Sequence, residues 1–188
     1  MDWRIKFRIN NDEIEAVIKY CQDWLQKYDT RKLDKISIVG SKSSTTGFWG
    51  KCCYPAKRNK KSGYNITCTV HEDTKFPHRR VQRRSPLYFK KNGVVCEGAE
   101  EQYVAMGHSD HWKLGEHWSV NGGETTWVRV YEYITYYSFD ECIASIFGHE
   151  IGHFLSRTKQ IKYPNTEIGI DKFEDDFLNE YRKWKSQQ

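Results

Sequence analysis

Apolar residues recur at helical spacing in three stretches of this chain and alternate in strand fashion in four others. Ile14, Val17, Ile18, Cys21, Leu25 and Tyr28 form the inward stripe of a first helix, with Asn10 or Asn11 as its cap. Short strands are predicted over Lys35 to Val39, Phe48 to Tyr54 and Tyr64 to His71, the last two forming a hairpin around a turn at Arg58 to Gly63. Trp127 to Tyr137 alternates β-branched and aromatic residues and predicts the final strand. A second helix starts at Ser138, an N-cap residue, with Glu141 three positions on to complete a capping box. Its apolar arc is Ile143, Ile146, Phe147, Ile151, Phe154 and Leu155. Asn165 caps a third helix running to about Lys185, with Ile170, Phe173, Phe177, Tyr181 and Trp184 inward. From Thr74 to Gly123 neither period holds, which predicts a long irregular segment. The expected class is α+β: an N-terminal helix, a small twisted mixed sheet, an apolar helix and a closing helix.

Length and composition sharpen this picture. At 188 residues one domain, 1–188, is expected, and 15% aromatic residues compensate for a hydrophobic content of 38%. Met1-Asp2-Trp3-Arg4-Ile5-Lys6 lacks the apolar core of a signal peptide, and no stretch has the length and apolarity of a membrane span. The expectation is a soluble, cytoplasmic protein without a membrane partner. Cys21, Cys52, Cys53, Cys68, Cys96 and Cys142 include no C-x-x-C pair, which disfavours a zinc ribbon. Cys21 and Cys142 fall within helical apolar patterns as small hydrophobes. A disulfide from Cys52 or Cys53 to Cys68 would staple the hairpin, but would not persist in a reducing cytosol.

The chemistry concentrates in Gly148-His149-Glu150-Ile151-Gly152-His153. Histidines at i and i+4 project from one helix face, where both imidazoles reach a single zinc ion. Here they lie just off the edge of the apolar arc. Glu150 between them is placed to take a proton from activated water and pass it to a leaving amine. Gly152 removes bulk beside the histidines, so that another segment can approach closely. No histidine follows His153, which excludes any family whose third ligand is a downstream histidine. Glu167 falls in the first turn of the closing helix and Asp171 one turn on, giving a ligand and a carboxylate that orients a ligand histidine. Glu174 shares much the same face and is the rival ligand.

This arrangement resembles the gluzincin type of zinc metallopeptidase. Asn165-Thr166-Glu167…Asp171-Lys172-Phe173 is similar to an N-T-E-x-x-A-D segment that follows the zinc helix in small bacterial and phage zincin-like proteins. The likeness covers roughly residues 138 to 185. Ile170 stands where that pattern has alanine, and Gly169 weakens a helical turn; a later helix start would favour Glu174. Upstream, Gly47-Phe48-Trp49-Gly50-Lys51-Cys52 and Tyr64-Asn65-Ile66-Thr67-Cys68 look like the strand pair of SprT-like minimal zincins. The third ligand of those proteins is a histidine, so this second likeness bears on the fold.

The resemblance implies a zincin-like fold and a zinc-dependent metallopeptidase acting on a peptide or protein substrate. The expected cofactor is one Zn²⁺ per chain on His149, His153 and Glu167, with Glu150 as general base and acid. Tyr163, between the metal-binding segments, is the candidate oxyanion donor, and the edge of the strand ending near Tyr137 is the candidate holder of an extended substrate. The alternative is a catalytically silent zincin-fold binding module, or a nucleic-acid-associated one with structural zinc. Arg79, Arg80, Arg83, Arg84, Lys90 and Lys91 are interleaved with Phe76, Tyr88 and Phe89, a pattern able to follow a phosphate backbone. The net charge of only +5, with acids at Glu174, Asp175, Asp176 and Glu180, favours a solvated basic loop instead. His108, Asp110, His111 and His117 crowd the same stretch and read as surface residues, with a second metal site or a transition-state donor as the other readings.

Overall fold

The computed structural model describes residues 1–8, 12–42, 49–55, 63–83, 87–91, 94–95, 112–120 and 125–188. The chain divides into two compact units, Met1–His78 with Tyr136–Gln188, and Arg79–Thr135. Helices and mixed sheets together make the class α+β.

In the first unit, β1 (Asp2–Lys6), β2 (Leu33–Ser41), β3 (Trp49–Cys53) and β4 (Tyr64–His71) form a sheet in the order β1-β2-β4-β3. β1 and β4 each run parallel to β2, and β3 is antiparallel to β4, from Trp49↔Thr69 to Cys53↔Asn65, and is an edge strand among the described residues. The expected hairpin is therefore present, although its turn lies outside the described residues. β1 has no counterpart in the sequence expectations. Four of its five residues are exposed, and a parallel partner more than thirty residues away leaves no local signature. Ile36, Ile38, Ile66, Cys68 and Val70 are fully buried and build the sheet's contribution to the core.

Three helices complete this unit: α1 (Asp12–Leu25), α2 (Phe139–Arg157) and α3 (Glu167–Lys185). Every residue of α2 from Phe139 to Leu155 is buried except His149. A helix buried on all sides is the centre of its unit, and α2 packs on β3, β4, α1 and α3. Its contact with α3 depends on a glycine notch. A Cβ at Gly148 would come within 2.8 Å of Phe177, and one at Gly152 within 2.7 Å of Phe173. The phenylalanines, also four residues apart, fill the space the glycines leave, and this brings α3's acidic face onto α2's histidines.

Polar contacts fix the antiparallel sense of the α2–α3 pair. Asp140, at the start of α2, accepts hydrogen bonds from the Tyr181 hydroxyl and, at 2.8 Å, from Lys185 near the end of α3. Arg182 reaches Glu141 at 2.7 Å. Opposite ends of two helix dipoles are thus bridged by charges of the favourable sign.

The expected caps are revised. Ser138 stands at the N-cap with extended backbone but makes no side-chain capping bond, and Glu141 accepts instead from the Tyr137 N–H at 3.0 Å and from Arg182. Pairing with α3 has drawn Glu141 out of the capping box. The cap of α3 is Thr166 rather than Asn165: its hydroxyl accepts from the Gly169 N–H at 3.1 Å, and the helix opens at Glu167.

In the second unit, strands occupy much of the segment expected to be irregular. β5 (His78–Arg83), β6 (Leu87–Lys91), β7 (Val94–Val95), β8 (Trp112–Val120) and β9 (Thr125–Tyr136) form one sheet, with β9 carrying β5, β6 and β8. Bulges interrupt β6 between Tyr88 and Lys90 and β8 between Leu114 and His117, both against β9. A bulge breaks the period-two pattern by which a strand is recognised, which is why this stretch read as irregular. No helix among the described residues is long and apolar enough to cross a membrane.

Candidate metal centre

One turn of α2 and the first turns of α3 build the site. His149 and His153, four residues apart, bring their rings to a centroid separation of 5.1 Å. Glu167, the first residue of α3, faces both: its carboxylate lies 3.4 Å from His149 Nε2 and 3.7 Å from His153 Nε2. The donor atoms of His149, His153 and Glu167 all fall within 4.8 Å of one another. Ligand atoms around a tetrahedral zinc, each about 2.0–2.2 Å from the ion, stand roughly 3.3–3.5 Å apart. The two carboxylate–imidazole distances, 3.4 and 3.7 Å, are close to that edge length, and two imidazoles with a carboxylate are a donor set of the kind zinc takes.

The opposite edge of each ring is occupied. His149 Nδ1 lies 3.0 Å from Glu174 and 3.5 Å from Asp171, and His153 Nδ1 lies 3.0 Å from the Asn165 side-chain oxygen. A carboxylate and an amide oxygen accept hydrogen bonds, so both Nδ1 atoms donate and both Nε2 lone pairs remain for a metal. Burial lowers the pKa of His153 and keeps it in the neutral form that ligates.

Glu174 is fully buried. Its second oxygen accepts from the Ser145 hydroxyl, which in turn lies 2.8 Å from the Tyr136 hydroxyl. With Ser145's proton given to Glu174, Tyr136 is the donor in that contact. A connected chain, Tyr136–Ser145–Glu174–His149, therefore holds the ring from inside the protein. His149, Asp171 and Glu174 form a second group of donor atoms close enough for a metal. Their convergence on Nδ1, in the buried seam between two helices, suits them to orienting the ring. The sequence expectation of one orienting carboxylate, Asp171, thus becomes two, and the nearer is Glu174. Asn165, expected as a helix cap, holds the other histidine.

Glu150 points from the same turn toward the edge strand. A side chain at Gly50 of β3 would overlap its carboxylate, and the backbone N–H of Cys52 hydrogen-bonds to it. Burial pushes the Glu150 carboxyl up to about 7, with Glu167 and Glu174 adding to the rise and His149 and the Cys52 N–H opposing it. Such a group changes protonation near neutral pH, as a general base that becomes a general acid must.

Tyr163 is not brought into this group. Its ring packs on Phe173 at 5.3 Å and its hydroxyl donates to Asp176, which pushes the tyrosine up to about 12. Within its own unit Glu150 lies against β3. Cys21, Cys52, Cys53, Cys68 and Cys142 are free thiols. Gly50, not a cysteine, is opposite Cys68, so Cys52 lies diagonal to it and Cys53 on the other face; a diagonal pair is about 7–8 Å apart, too far for a disulfide. Arg79 is exposed and Arg80 half-buried at the start of β5. Arg84, His108, Asp110 and His111 lie outside the described residues, and His117 occupies a strand position in β8.

Family models, curated proteins and solved structures were all compared with the chain, and nothing matched.

Proposed function

We propose that this chain is a zincin-like, zinc-dependent metallopeptidase, with zinc held by His149, His153 and Glu167. The observation that carries the reading is the Glu167 carboxylate facing both Nε2 atoms while both Nδ1 atoms are turned to acceptors. Zinc in such a site supplies Lewis acidity at an open coordination position.

The chain's own residues do the rest. The Glu150 carboxylate accepts the proton of the attacking water and delivers it to the departing amide nitrogen. The Cys52 N–H and the absence of a side chain at Gly50 hold that carboxylate in place. Glu174, Asp171 and Asn165 keep the two imidazoles aimed. Among the described residues β3 is an edge strand of its sheet, and its outer edge lets an extended peptide add as a further strand beside Glu150. A cytoplasmic site of action belongs to the same reading and is supported by the free thiols.

Elemental analysis should find about one zinc per chain, and a broad peptide library should be cleaved in a chelator-sensitive, zinc-restorable way. Glu150→Gln should keep its zinc and lose about 10²–10⁴-fold in hydrolysis. A zinc-free protein that takes up none on titration removes the metal. Zinc uptake with no cleavage, or with cleavage untouched by Glu150→Gln, replaces the peptidase with a binding module.

A further inference from the structure

Resting on the peptidase reading of this centre, we propose that Arg157 and Tyr54 form a subsite that binds a carboxylate of the bound peptide. Arg157 is the last residue of α2, one turn beyond His153. Its guanidinium lies 3.5 Å over the centroid of the Tyr54 ring, just past the end of β3. Tyr54 is 44% exposed, yet it is braced from beneath. It meets Tyr64 edge-on at 5.9 Å, and Tyr64 meets the fully buried Phe154 at 5.1 Å.

A cation in the last turn of a helix complements its dipole wherever it points. That does not account for the guanidinium being seated 3.5 Å over a braced aromatic ring. The guanidinium carbon lies against the ring while Tyr54 engages part of its N–H donor set; the remaining donors of the five belong to a fork that takes a carboxylate bidentately. Arg157 is exposed and forms no ion pair with any described carboxylate. Lys19, Lys27, Arg31, Arg182 and Lys185 of this unit are each paired with an acid; Arg157 differs from the other unpaired cations in being seated on an aromatic ring.

The position agrees with this use. α2 and β3 advance together: Glu150 lies against Gly50 and the Cys52 N–H, and seven residues later Arg157 lies over Tyr54. The helix climbs about 10 Å over those seven residues, the length of about three residues of extended peptide. A peptide laid along β3 with its reacting bond at Glu150 therefore presents a group to Arg157 about three residues away. Both an Asp or Glu side chain and a free C-terminus carry the carboxylate that this subsite selects.

The test is binding to the full chain, zinc-loaded and carrying Glu150→Gln so that bound peptide stays intact. The probes are octapeptide mixtures bearing a neutral fluorophore: amidated with one Glu at each position in turn, amidated with Gln in its place, and the Gln mixture with a free C-terminus. Anisotropy should show about tenfold tighter binding of a carboxylate-bearing probe, and the advantage should shrink as salt rises. Arg157→Gln should abolish it, Arg157→Lys should keep part of it, and Tyr54→Leu should weaken it. Preference for the Glu mixtures identifies a side chain as the ligand, and preference for the free terminus identifies the C-terminus. Equal or undetectable binding of all probes, or a preference that survives Arg157→Gln, overturns the subsite. Cleavage by the wild type without carboxylate preference removes the subsite alone. Preference without cleavage removes the peptidase reading alone.

Discussion

Glu174 meets Nδ1 of His149 at 3.0 Å, on the far edge of the imidazole from Glu167, whose carboxylate stands 3.4 Å from Nε2. Two glutamates of one helix thus face one ring from opposite sides, and only Glu174 holds it by a hydrogen bond. Glu174 has no exposed surface, while the Glu167 side chain is 76% exposed. That difference separates a residue that builds the site from one free to bind a metal.

Alanine at the two positions should therefore behave differently. Glu167→Ala should remove most zinc affinity and change the stability of the metal-free protein by no more than about 0.5 kcal/mol. Glu174→Ala should weaken zinc about 10–100-fold. It should also cost the metal-free protein about 1–3 kcal/mol, because Ser145 and His149 lose their buried acceptor. Zinc competition against a chelator, with melts of the metal-free proteins, reads both effects. A Glu174→Ala protein that loses zinc altogether at unchanged metal-free stability would move the third ligand to Glu174.

The glycine notch gives a steric prediction. Gly152→Ala places a methyl group within 2.7 Å of the Phe173 ring, and overpacking of this kind costs about 1–3 kcal/mol. Because Phe173 and Glu167 share α3, zinc affinity should fall as well. Phe173→Leu in the same chain should recover part of both losses, as read by denaturant midpoint and zinc titration. Unchanged zinc affinity in Gly152→Ala would mean that Glu167 reaches the histidines independently of the notch.

Glu150 makes stability depend on pH in the metal-free protein. Burial raises its carboxyl from the ordinary 4.5 to about 7. The folded state thus favours the protonated form, and this contribution is complete below about pH 4.5 and lost as pH rises through 7. Glu150→Gln should therefore be more stable than the wild type at pH 8, by something on the order of 3 kcal/mol. At pH 4 the two should be nearly equal. Denaturant curves at the two pH values, in the presence of chelator, decide it.

Asp140 acts in the opposite sense. Burial alone would raise its carboxyl, but the hydrogen bonds from Lys185 and Tyr181 and the charge of Lys185 help to outweigh burial, and the carboxyl is lowered. Its stabilising contribution is present above the ordinary aspartate value of 3.8 and is lost as pH falls through the lower folded value. Asp140→Asn should be less stable than the wild type at pH 6, with the gap closing toward pH 3. A gap that stays constant across this range would show that the hydrogen bonds matter and the charge does not.

Legibility followed the range of the interactions involved. The three helices, β2, the β3–β4 pair and β9 were visible because spacing along the chain reports which face is buried. β1 is stabilised by a partner distant in sequence, and β6 and β8 are broken by bulges, so neither kind of strand left a clean period. Caps were misjudged where a tertiary contact competed for the capping residue, as Arg182 does for Glu141.

The site divides along the same line. His149, Glu150 and His153 were legible because one helix turn sets their relation, and i to i+4 spacing is a property of sequence alone. Glu167 and Asp171 were in reach because the start of α3 was nearly right. The roles of Glu174, Asn165 and Tyr163 were not, for each depends on how α3 and the loop before it dock on α2. The Phe173 and Phe177 rings seated on Gly152 and Gly148 set that docking. The sequence by itself determined which residues are candidates for the chemistry and that one helix turn holds His149, Glu150 and His153. Only the tertiary structure decided which carboxylate meets which imidazole nitrogen, because a fit between two helix surfaces is a relation in space that no spacing along one chain records.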